Sequence, residues 1–247
     1  LWGRDYLAAG ILVGLLFAAE FFLVAQALRF TSAAHTVVLL YTAPIFVALG
    51  LHWKLPSERL SLIQWLGIAC AFFGIVIAFL FRPTASQAAA SSALWGDALA
   101  LLAGVLWAAT TIAVRLTKLA EAPATQTLFY QLFIAFFVLL PVAFFMGQAT
   151  IHWSVLSLTS LLFHTVVVSF ASYLIWFWLL KKYLASQLGV FSFLTPIFGM
   201  CFGVVLLNEH LELNFLVGTC FVLMGVMVVS LHHKIKQYAQ AFKVALQ

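Results

Sequence analysis

Eight stretches of the chain are apolar and of helix length: 6–28, 33–53, 62–81, 95–115, 127–147, 155–180, 185–207 and 213–232. Most carry no charge at their centres. Roughly 20 apolar residues cross the hydrocarbon core of a bilayer as a helix. A backbone facing lipid must satisfy its own hydrogen bonds, which leaves helices or a closed barrel. Strict apolar/polar alternation is absent, and the barrel goes with it. The expected fold class is all-α integral membrane, with eight transmembrane helices. The composition agrees, since 65% of the 247 residues are hydrophobic and only 8% are charged. Soluble domains run at about 45–50% apolar and about 25% charged, and a chain this short could not hide the excess. A cytosolic enzyme, a nucleic-acid binder and a disordered segment are thereby excluded.

The basic residues sort by side. If the first end is side A and the runs alternate, side A receives Arg4, Lys54, Arg59, Arg115, Lys118, Lys181, Lys182, Lys234, Lys236 and Lys243, and side B only Arg29 and Arg82. Cytoplasmic loops collect Lys and Arg, so side A is expected to be cytoplasmic, including the C-terminal end. One missed span would scramble this split. The net charge of +5 then needs no nucleic acid to explain it. Cys70, Cys201 and Cys220 lie in apolar runs without C-x-x-C spacing and read as small hydrophobes, with no disulfide or zinc site.

The chain repeats itself. Pro44, Ile45 and Phe46 match Pro196, Ile197 and Phe198 at an offset of 152. After the loss of one residue, Glu58, Leu60, Gly67 and Gly74 match Glu209, Leu211, Gly218 and Gly225 at an offset of 151. The match spans three helices in each half. Runs 95–115 and 127–147 have no counterpart ahead of residue 1. A five-helix unit predicts two further helices there and ten in all, and since the repeat offset maps Trp95 to about 57 residues ahead of Leu1, about 305 residues. On this reading 1–83 holds the last three helices of the first repeat, 84–94 is a periplasmic linker, 95–232 is the second repeat, and 233–247 is a cytoplasmic tail. An odd number of helices per unit turns one copy upside down relative to the other. Inverted repeats with a substrate site near the midplane mark secondary transporters.

A-L-R-F-T-S-A-A (27–34), Y-T-A-P-I-F (41–46), L-P-S-E-R-L (55–60) with Trp65-Leu66-Gly67, and T-P-I-F with N-E-H-L (195–198, 208–211) resemble the drug/metabolite transporter superfamily, in particular its EamA-type exporters. The resemblance implies a ten-helix (5+5) inverted-repeat permease with both termini cytoplasmic. It also implies a central substrate cavity, lined here by 6–28, 33–53, 155–180 and 185–207.

Glu20 lies well inside the first run. A carboxylate within a membrane span is expensive and marks function by default. It reads as a proton-coupling or amine-binding group, or as a protonated tie between helices. The spacing of three or four puts Thr165, Ser169, Ser172, Tyr173 and Trp176 on one face of helix 155–180. That face suits a cavity, where Tyr173 and Trp176 can stack on a substrate, or close helix packing. Pro44 and Pro196 read as mid-helix hinges or kinks that free the carbonyls of Leu40 and Ser192, flanked by Tyr41, Thr42, Ser192 and Thr195. Trp107 and Thr111, one turn apart, are further cavity candidates, as are Tyr130 and Gln131 in the first turn of 127–147. Arg115 reads as an interfacial anchor, and His35 and His164 as interfacial residues. Asp5 and Asp97 fall at helix ends, which leaves no intramembrane aspartate dyad. The glycine pairs Gly10/Gly14 and Gly199/Gly203 predict close helix approach within the chain.

No G-x-x-x-x-G-K-S/T, G-x-S-x-G or H-E-x-x-H occurs, so nucleotide hydrolysis and the common hydrolase chemistries lack their motifs. No cofactor or metal is expected. The sequence reads as a secondary transporter of a bacterial inner membrane, exporting small neutral or zwitterionic metabolites, with aromatic amino acids foremost. The expected partners are the substrate, the bilayer and a coupling proton, and the expected state is a monomer or weak dimer. A multidrug exporter, a passive channel and a non-transport scaffold are the alternatives.

Overall fold

The computed structural model describes residues 4–55, 59–80, 87–172, 175 and 194–245. Among them it is all-helical: α1 (Arg4–Ala27), α2 (Ala33–Leu40), α3 (Ala43–Lys54), α4 (Leu62–Leu80), α5 (Gln87–Leu116), a 3₁₀ turn (Lys118–Glu121), α6 (Ala124–Phe145), α7 (Val155–Leu162), a π-helical segment (Phe163–Ala171), α8 (Leu194–Leu207) and α9 (Leu213–Ala245). Five stretches among the described residues are long and apolar enough to cross a membrane: Tyr6–Ala27, Ala33–Lys54, Ser91–Leu116, Ala124–Phe145 and Leu213–Leu231. Shorter apolar helices cover Leu62–Ala78, Val155–Val168 and Leu194–Leu207. The protein is therefore a multi-pass membrane protein.

Two expectations need correction. Run 33–53 is not one helix but two, interrupted at Tyr41–Thr42. Pro44 has no N–H and its ring clashes with the carbonyl four residues back, so it is tolerated only in the first turn of a new helix, where it sits. Pro196 is buried in α8, where the described part of that helix begins at Leu194. Run 155–180 begins as α-helix but winds as a π-helix over Phe163–Ala171, where the β-branched run Thr165–Val168 crowds an α-turn. The expected one-face stripe assumed 3.6 residues per turn, a winding this segment does not keep. The described part of α5 begins at Gln87, and α9 is described to Ala245. The described residues of 84–94 and 233–247 are helical, in keeping with sequences rich in Ala, Gln and Lys.

The chain forms two compact units, 1–139 with 196–247, and 140–195. In the first, α4 and α9 run antiparallel with their backbones close together. A Cβ on Gly67 would lie 3.1 Å from the carbonyl of Gly225, and one on Gly74 would meet the carbonyl of Gly218. Gly218 and Gly225 are the repeat counterparts of Gly67 and Gly74. The contacts are therefore reciprocal, as at an interface built on a two-fold axis. The Cys70 thiol, midway along, reaches the carbonyl of Phe221 at 3.5 Å. Gly10 and Gly14 let α1 approach Tyr130 and Ile134 of α6, while Gly199 accepts Val37 of α2.

In the second unit, α6 ends on Gly147 with φ 66°. The amides of Gly147 and Gln148 return to Phe144 (3.0 Å) and Ala143 (2.8 Å), satisfying the last carbonyls of the helix. Ser154 and Ser157 form a reciprocal cap on α7.

Candidate functional site

The first unit holds a cavity of about 670 Å³, a size that suits a small-molecule ligand. Its walls bring together Glu20 of α1, Tyr41 from the break after α2, and Trp107 and Thr111 of α5. The break explains Tyr41: at the end of α2 its ring meets that of Trp107 edge to face, with centroids 5.2 Å apart. This geometry favours an aromatic pair. Phe17, Phe21 and Leu40 supply apolar wall, and Thr110, Arg115 and Gln131 add polar groups. The hydroxyls of Thr110 and Thr111 donate to their own helix, at Leu106 (3.0 Å) and Trp107 (3.1 Å).

Glu20 is only 6% exposed, and its Oε2 meets no hydrogen-bond partner among the described residues. A buried polar atom without a partner costs about 1–3 kcal/mol, more when charged. It is therefore a place where a donor from a ligand, or a proton, gains most.

The helix break also determines what Thr42 and Leu40 can do. Thr42 is fully buried and its hydroxyl donates to the carbonyl of Leu39 at 2.6 Å, so it caps the break and does not line the cavity. The carbonyl of Leu40 faces α5, where a Cβ on Gly104 would lie 3.0 Å from it. The backbone freed ahead of Pro44 thus packs on a glycine. Pro44 itself lines a second cavity of about 370 Å³, which shares Trp107 and Thr111 with the first.

Tyr130 is a core residue, packed with Ala9, Val13 and Leu119, whereas its neighbour Gln131 reaches the cavity. Arg115, read from sequence as an anchor, lines the cavity as well. In the second unit Ser172 is exposed and its hydroxyl turns back to the carbonyl of Val168. Ser169 belongs to the π-helical segment. Thr195 is exposed on α8. Tyr173, Trp176 and Ser192 lie outside the described residues.

A polar cluster escaped the sequence. Asp97, expected at a helix end, is fully buried inside α5. It accepts from the Thr31 hydroxyl and lies 3.2 Å from Nδ1 of His35, which stacks on Phe215 at 3.8 Å. Beside it, Glu209 accepts from the amides of Ala33 (2.7 Å) and Ala34 (3.0 Å), so its carboxylate caps α2 together with Ser32. Asn208, at φ 53°, turns the chain to bring Glu209 there. Gly203 leaves room for the carboxylate, since a Cβ would stand 2.5 Å from Oε2. Residues 62 and 175 positions apart share no local pattern, so no sequence signal could pair them.

Comparison with known proteins adds the family. The chain is 25% identical over 224 residues to "Uncharacterized transporter YoaV" of Bacillus subtilis (strain 168), covering 90% of this chain and 74% of that protein. It is 25% identical over 233 residues to an "Uncharacterized transporter" of Archaeoglobus fulgidus, covering 92% of this chain and 77% of that protein. It is 26% identical over 227 residues to "Probable amino-acid metabolite efflux pump" of Salmonella typhimurium (strain LT2), covering 87% and 73%. No solved structure matches it. The EamA-like transporter family matches residues 2–80 and 94–231. With apolar helices, a repeat meeting itself reciprocally and a cavity walled by its helices, the chain belongs to the EamA-like transporter family.

Proposed function

We propose that the protein is a secondary transporter that exports small neutral or zwitterionic metabolites, foremost amino acids with aromatic or other apolar side chains. The observation that carries this reading is the cavity in which a Glu20 carboxylate oxygen, without a partner among the described residues, shares walls with the Tyr41–Trp107 pair. An ammonium group satisfies the carboxylate, and an aromatic face suits a cation or a ring. The name of the Salmonella relative, an amino-acid metabolite efflux pump, supports the same substrate class. On this reading the protein is a carrier and not an enzyme. The two repeats rock about the cavity, driven by the substrate gradient or by proton exchange at Glu20. The ten-to-two split of basic residues supports a bacterial inner membrane with the C-terminal end in the cytoplasm.

The test is counterflow in proteoliposomes containing the full-length protein, loaded with one unlabelled amino acid at a time. Saturable accumulation of a labelled amino acid supports a carrier, because only a carrier reorients with substrate bound. Flat traces across the panel reject the amino-acid assignment.

A further inference from the structure

The second cavity adjoins the first at two residues of one helix turn, Trp107 and Thr111, which line both. Its remaining wall is largely apolar, with Val47, Ala48, Leu51, Leu60 and Val229 among its residues. Its one amide is already occupied. Gln64 donates from Nε2 to the carbonyl of Val229 at 3.1 Å and accepts at Oε1 from the amide of Ser61 at 3.0 Å. The Thr111 hydroxyl is turned to its own helix. A guest in this compartment meets mostly apolar side chains, with the Ser230 hydroxyl beside them, while the charged groups, Glu20 and Arg115, line the first cavity. Trp107, common to both cavities, is held against Tyr41 edge to face.

We infer that the second cavity is the side-chain compartment of the substrate site: it takes the apolar side group of a molecule whose ammonium end lies at Glu20, and its size sets which side groups are carried. This rests on the transport reading above and names the feature of the substrate that the protein selects. The selected class is α-amino acids or amines bearing a bulky apolar group. The compartment measures about 370 Å³, so its free volume, more than any hydrogen bond, discriminates between substrates.

The experiment is counterflow of alanine, valine, leucine and phenylalanine with the full-length protein and two filled variants. Ala48→Phe fills the compartment from α3 and Ser230→Phe from α9, so misfolding of one leaves the other. Monodisperse elution and helical circular dichroism identify the folded variants. The expected result is that the ratio of phenylalanine to alanine exchange falls roughly tenfold or more, since each methylene in an apolar pocket discriminates by about that factor. Wild-type exchange with the ratio unmoved in a folded variant overturns the compartment and leaves the transport reading standing. A wild-type protein that exchanges no amino acid overturns both.

Discussion

Gly67 of α4 packs on the backbone of Gly225 of α9, and their repeat counterparts, Gly218 and Gly74, pack on each other in the same way. Position 67 meets 225 as 218 meets 74. This reciprocity makes the α4–α9 contact the seam of the two repeats, and glycine permits it because any Cβ would meet a backbone carbonyl. In lipid, helix association depends on such close packing.

Gly74→Leu and Gly225→Leu should therefore destabilise to a similar degree. Overpacking costs roughly 1–3 kcal/mol where neighbours can yield, and more against backbone. Thermal unfolding in detergent measures it: both variants should lose several degrees in Tm. A large drop in only one would contradict the reciprocal seam.

Glu20→Gln removes the charge but keeps the shape of the side chain in the cavity. Coupling through Glu20 predicts that the variant loses pH-gradient-driven accumulation and keeps part of its counterflow. Transport measured with and without an imposed gradient decides it. Full gradient dependence in the variant would make Glu20 structural only.

Asp97 is buried with His35 and Thr31 as partners. Removing one member of a buried ionic or hydrogen-bonded group costs about 3–5 kcal/mol when a charge is left behind. Asp97→Ala should lower Tm strongly, and a double-mutant cycle with His35→Ala should give a coupling of about 0.5–3 kcal/mol. Additive effects would show that the two residues stabilise the protein independently.

Glu209 caps α2 from the far end of the chain. Hydrogen bonds to charged groups contribute about 1.5–3 kcal/mol, so Glu209→Ala should cost about that much. Hydrogen exchange at the amides of Ala33 and Ala34 should accelerate well before that of the α5 interior. Unchanged protection at these amides would remove the cap from the account.

Much of the architecture was legible before any coordinates. Helix-length apolar runs follow from the cost of unsatisfied backbone in lipid. Matching prolines and glycines exposed the repeat, and a lone intramembrane carboxylate pointed to Glu20. Glu20, Tyr41, Trp107 and Thr111 were legible individually, and the structure brings these four to one cavity. The Thr42 hydroxyl donates to the backbone at the helix break, a local need that looks the same in sequence as a cavity role.

What only the tertiary structure decided is which residues meet across helices. In a soluble helix the polar face identifies the packed face by default. Here both faces are apolar, so periodicity says little about which side of α5 carries Trp107 into the cavity and which buries Asp97. The pairing of Asp97 with His35, the return of Glu209 to α2 and the compartment behind Trp107 all depend on helix rotation and crossing. These are set by where small residues let backbones touch. The sequence by itself determined that the chain crosses a membrane as helices and repeats itself; the packing of those helices determined where a polar group could be buried and where space was left for a ligand.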